Sequence, residues 1–328
     1  MENRSQTGYL DRLRLSRGIP ALRREFQRML KRNRPLAIYY MNEGALRFPT
    51  LFLLLPAILS EGLAGRLNDR NRAALDLCAR TLNWRPGPLP PAPDRKGPET
   101  GAALKWMLET GRSWEGPMPE AGGFDAVLDR AAAVLIVTFH DTSVLPWVAE
   151  LIFHRNRRGF YIHDLVWSFF QADDPDSVLL LERWAETGEE PDAELACQLL
   201  HLEAAGGAEA RRQRCRQYRD WLGENRGFLY FTGEQFQMTS QPKPLGLDRE
   251  AKYLQKEICP RRRTPLSPVT EEERTQLGGF RTCSREEQKL LCEYSARLCR
   301  EDRDRWEDWR REPMVRQVMA AQGRTEVV

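Results

Sequence analysis

Between residues 124 and 204, apolar side chains recur every three to four positions, and that period commits the stretch to helices. Phe124, Val127, Leu128, Ala131, Ala132, Leu135 and Phe139 hold the rule over four turns. Val134, Ile136 and Val137 make the same segment apolar nearly all round, so it belongs at the centre of a core. Further helices follow. Thr142 or Ser143 is placed to cap one that runs to about His154. Ile162, Leu165, Val166, Phe169 and Phe170 form the next apolar stripe. Asp174-Pro175 reads as an N-cap followed by a first helical residue, opening a helix that continues to Gly188. Pro191 opens another, closed by Gly206-Gly207.

The helix near Thr142 and the helix near Pro175 begin 33 residues apart (175 − 142), with matching openings Ser143-Val144-Leu145 and Ser177-Val178-Leu179. In this the stretch 124–204 resembles a HEAT-like or armadillo-like stack of helix pairs, although its period is shorter. The resemblance implies a non-catalytic scaffold that binds protein along a groove.

The rest of the chain is read from its punctuation. Leu22, Phe26, Met29 and Leu30 follow Pro20 on one face of an amphipathic helix, with Arg23, Arg24, Arg28, Lys31 and Arg32 on the others. LAIYYM at 36–41 fits a short strand or the start of a helix, and Leu67–Leu82 fits a helix. Residues 84–99 contain six prolines and two glycines, which cannot continue a helix and mark a linker or surface loop. A PxxP spacing from Pro88 to Pro91 lies within it. A short helix at 101–110 precedes a second loop at 111–123. Residues 208–224 form a basic helix, and GFLYF at 227–231 suits an extended piece. Two capping boxes, Thr270 to Glu273 and Ser284 to Glu287, open a short helix ending at Gly278-Gly279 and a long helix ending near Pro313. Trp306 and Trp309 on the long helix are placed to dock. The expectation is a mostly α protein, a helical bundle or α-solenoid-like middle region with short helical N- and C-terminal parts. Its segments are 1–83, 84–123, 124–240 and 241–328.

Composition excludes several classes. The 328 residues are 41% apolar and 30% charged, enough apolar surface for a core and too balanced in charge for a disordered chain. No apolar run approaches the length of a membrane span. The N-terminus lacks the apolar core of a secretory signal, and seven scattered cysteines suit reduced thiols, so a cytoplasmic protein is expected. The net charge of +3 hides an asymmetry: the first 34 residues hold ten Arg/Lys and three acids. That segment, with Arg211, Arg212 and Arg216, offers a basic surface to nucleic acid or another anionic partner, while a protein partner is the leading expectation.

Three patterns bear on catalysis. His140-Asp141 and His163-Asp164 resemble the His-Asp pairs of HD-class metal phosphohydrolases, which would imply a metal-dependent hydrolase. If VLIVTF (134–139), GFYI (159–162), GFLYF (227–231) and LAIYYM (36–41) were instead parallel strands, His140, Asp141, His163, Asp164 and Glu234 would gather at their carboxyl ends. The four-turn stripe through Phe139 favours helix over that reading. Cys259-Pro260-Arg261-Arg262-Arg263 resembles half of a zinc-ribbon knuckle with arginines where its second cysteine and glycine would stand, so no metal is expected there. Nucleotide-binding and common hydrolase signatures are absent, and no cofactor is expected.

Overall fold

A computed structural model describes residues 7–84, 94–114, 121–203 and 205–323. The chain is 70% helical, with sixteen α-helices and two small sheets among the described residues. The mostly α expectation holds. The chain divides into two compact units, residues 1–172 and 173–328, a division that falls inside the 124–240 stretch.

The N-terminal unit contains α1 (Tyr9–Arg32), α2 (Arg34–Met41), α3 (Phe48–Ser60), α4 (Asp69–Thr81), α5 (Pro98–Gly111), α6 (Ala121–Val137), α7 (Leu145–Arg157) and α8 (His163–Phe170). The helix read from Pro20 onward is the second half of α1. Its first half precedes a kink at Gly18, where φ is +78°, a conformation that costs glycine little. LAIYYM lies in α2, opened by the Asn33 side chain, which accepts from the Leu36 N–H. The core gathers Phe48, Phe52 and Phe124 from α3 and α6, with ring centroids 5.2–5.9 Å apart. A buried polar knot ties α1 to α3. The Asp11 carboxylate, fully buried, accepts from the Arg47 N–H at 2.8 Å and from the Thr50 hydroxyl. Arg14 Nε donates to Thr50 Oγ1 at 2.7 Å, and its guanidinium lies 4.5 Å from the centre of the Trp114 ring.

The C-terminal unit contains α9 (Leu179–Ala185), α10 (Glu190–Leu200), α11 (Gly207–Asn225), α12 (Arg249–Leu254), α13 (Glu271–Thr282), α14 (Arg285–Glu301), α15 (Arg303–Arg311) and α16 (Met314–Ala321). β1 (Leu229–Phe231) pairs antiparallel with β2 (Leu245–Leu247), and β3 (Ile258–Cys259) with β4 (Thr264–Pro265). Asp174 caps a tight turn at Pro175–Val178 before α9, accepting from the Asp176 N–H. Both capping boxes form as the sequence spells them. Two boundaries differ from expectation. α13 runs through Gly278-Gly279 to Thr282, because Gly279 lies beneath Met314 of α16, whose Cε would stand 3.3 Å from an added Cβ. The long charged helix breaks at Asp302, which ends α14 and caps α15 by accepting from the Arg305 N–H at 3.0 Å. Trp306 and Trp309 dock on the body, in a core with Tyr253, Phe280, Leu291 and Leu298. Tyr253 Oη donates to Gln317 Oε1 at 2.7 Å, and Trp306 Nε1 to Ser295 Oγ at 2.8 Å.

The parallel-strand reading does not stand. Residues 134–137 are the end of α6, 36–41 lie in α2, and 159–162 form the turn before α8. Only 229–231 is a strand, and its partner is antiparallel. The apolar period of 3.6 won over the short β-branched runs because the core approaches α6 from most sides. The Pro88–Pro91 spacing lies outside the described residues.

Candidate functional site

α6 buries Phe124, Val127, Leu128, Ala131, Ala132 and Leu135 almost completely. Its helical pitch then turns Asp125, Asp129 and Ala133, each four residues apart, onto a neighbouring face. That face is the floor of a pocket of about 710 Å³, completed by Arg155 of α7, by Phe160 and Tyr161 of the following turn, and by Asp164 and Trp167 of α8. Glycine at 159, with φ +65°, lets the chain reverse there and lays both aromatic rings at the pocket mouth. Phe160 is 42% and Tyr161 55% exposed.

Arg155 is 3% exposed on its side chain and is held on both sides. Its Nη1 donates to Asp129 Oδ1 at 2.6 Å, and its Nη2 lies 3.2 Å from Asp125 Oδ1. Burial pushes the Asp129 carboxyl up to about 6, against the pull of Arg155 and with a smaller push from Asp125 and Asp164. The pocket sets three acidic side chains, Asp125, Asp129 and Asp164, against Arg155 and the exposed Arg130. It offers acceptors, a donor and aromatic faces together.

The residues singled out in the sequence are dispersed. Asp164 lines the pocket. His163 precedes it on α8 and stands 4.8 Å from the Tyr161 ring, centre to centre. His140 lies exposed beyond the end of α6 with φ +53°. Asp141 caps the turn at Thr142–Val144, accepting from the Ser143 N–H at 3.0 Å and pairing with Lys105 at 3.1 Å, so the cap is neither Thr142 nor Ser143, the two residues expected from the sequence. Glu234 belongs to the C-terminal unit and accepts from the Lys243 N–H. Among the described residues, no three of these five bring ligand atoms within 4.8 Å of one another. Cys259 sits in the β3–β4 hairpin, and Cys292 is a core thiol that burial pushes up to about 12.

The arginines also part company. Arg23, Arg24, Lys31 and Arg32 are exposed on α1 with no ion pair among the described residues, whereas Arg28 pairs with Glu25. Arg211 is not a surface group: it is 4% exposed and donates to the Ala185 carbonyl and to Glu190. It shares the inward face of α11 with Cys215 and Leu222. Arg212 and Arg216 both turn to Glu209.

Asp125, Asp129 and Arg155 had not been anticipated. Two acids four residues apart on a largely apolar helix, and an arginine in the basic last turn of α7 that is nevertheless buried, mark them, and only the first of these signals is visible in the sequence. These features define a helical protein with a mixed-charge, aromatic-rimmed pocket. No family model matches the chain, and neither curated proteins nor solved structures give a match.

Proposed function

We propose that this chain is a non-catalytic helical binding protein, and that the pocket between α6 and α8 receives a segment of a protein partner. The observation that carries the reading is the pair of exposed rings, Phe160 and Tyr161, at the mouth of a pocket floored by Asp125, Asp129 and Arg155. Aromatic anchors beside satisfied buried charges are what protein hot spots are made of. Asp164 and Arg130 at the edge suit a segment with an apolar side chain flanked by charged ones.

The test places a photo-crosslinking amino acid at position 161 and, as a control, at the exposed Val315. A protein adduct from position 161 that disappears in an Asp164→Ala background supports the reading. Adducts equal at both positions, or a small molecule retained in native mass spectrometry with no protein adduct, defeat it.

A second reading, nucleic-acid binding, draws on the exposed cations Arg23, Arg24, Lys31 and Arg32, which have no ion pair among the described residues. Four phosphate contacts would lower affinity by about a hundredfold between roughly 50 and 200 mM salt. A gel-shift series without that dependence, or with no shift at all, removes it.

A further inference from the structure

Two helices of the C-terminal unit turn three donors onto one point. Glu182 and Glu186 stand four residues apart on α9 and at its C-cap, hence on one face, and Cys215 of α11 meets them. One oxygen of each carboxylate and the cysteine sulfur lie within 4.8 Å of one another. Arg219 holds Glu182 through both oxygens, at 3.2 and 2.7 Å, and is itself largely exposed. Glu186 has no ion pair among the described residues, and it is half-buried, so solvent reaches the cluster through it. The second observation is the thiol itself. Cys215 is fully buried, its sulfur receives no hydrogen bond among the described residues, and it faces the two carboxylates. Burial, with Glu182 and Glu186 adding to it, pushes that thiol up to about 11. Three groups that are negative when ionised therefore crowd one place, with Arg219 against Glu182 and the field of Arg212 reaching Glu186.

We infer that Glu182, Glu186 and Cys215 form a binding site for a thiophilic divalent cation of the zinc type. Tetrahedral zinc places its oxygen ligands at about 2.0 Å and its sulfur ligands at about 2.3 Å, which sets neighbouring donors about 3.3–3.6 Å apart. The observed donors lie within 4.8 Å of one another, so binding requires the glutamate side chains to close to that spacing. A sulfur ligand favours zinc or cobalt over magnesium and calcium. On binding, the thiol proton leaves to solvent and a sulfur–metal bond forms, with no change of oxidation state. The Arg219 contact orients Glu182 in the manner of an outer-shell partner. Three protein ligands leave a fourth position for solvent.

Cobalt titrated into the reduced, tag-free full chain tests the site. One ion per chain is expected, with a near-ultraviolet thiolate-to-cobalt charge-transfer band and no equivalent response to magnesium. Cys215→Ser is expected to abolish the band. Glu186→Gln, at a half-buried position that should leave the fold intact, is expected to weaken zinc in a chelator competition by about tenfold or more. Absence of one-to-one binding in the parent chain, a band that persists in Cys215→Ser, or unchanged zinc affinity in Glu186→Gln overturns the assignment. Should Cys215→Ser fail to fold, the Glu186→Gln affinity decides alone.

Discussion

Asp11 and Asp129 are both buried carboxylates, but they are kept for different purposes. Asp11 is fully enclosed and answers Arg14, Thr50 and the Arg47 N–H, so its work is to join α1 to α3. Asp11→Ala would strand the Arg14 guanidinium in the core, at a cost of about 3–5 kcal/mol. The urea midpoint should fall accordingly, and an unmoved midpoint would show that water reaches the site. Asp129 lies at the edge of a pocket and holds its proton more tightly in the folded chain than in the unfolded one. Its contribution therefore favours folding most in acid and is lost as pH rises through about 6. The stability of the parent chain relative to Asp129→Asn should fall from about pH 4 to above pH 6, measured by denaturant unfolding at each pH. A flat difference would contradict the raised value. Of this pocket the sequence disclosed Asp164 alone. The others meet across helices, Asp129 and Arg155 being 26 residues apart in the chain, and no local pattern encodes that meeting.

Helix ends were the most legible elements, because a cap is a local bargain between a side chain and the backbone three residues on. Thr270 with Glu273 and Ser284 with Glu287 close both halves of their boxes. The apolar stripe of α6 was equally plain, since burial on nearly every side leaves a continuous signature. What stayed hidden depended on distant partners. The first turns of α1 are helical because Leu10 and Leu13 are buried against the core. Gly278-Gly279 reads as a stop, but α16 packs there and the helix continues. The break at Asp302 hides within a run of charges that suits one long helix. Because that aspartate both ends α14 and starts α15, Asp302→Ala should cost about 1 kcal/mol and lower Tm by a few degrees in a thermal scan. No loss would mean that the preceding backbone alone enforces the break.

The two units each possess a core of their own, one built around Phe48, Phe52 and Phe124, the other around Tyr253, Trp306 and Trp309. Calorimetry of the intact chain should accordingly resolve two unfolding transitions, and residues 173–328 expressed alone should unfold cooperatively. A single transition with equal calorimetric and van't Hoff enthalpies would argue against autonomy. Among the described residues no helix is long and apolar enough to cross a membrane. The pocket floored by Asp129 and the Glu182–Glu186–Cys215 cluster belong to different units, so a variant in one can be assayed against the other as an internal control. The fastening of α16 has a last consequence. Gln317 accepts a hydrogen bond from the Tyr253 hydroxyl on its side-chain oxygen and one from the Trp309 indole N–H on its backbone carbonyl. A premature stop codon or a protease nick ahead of Met314 would leave both donors unanswered beside newly bared rings, and cellular quality control would meet such a product as damaged goods.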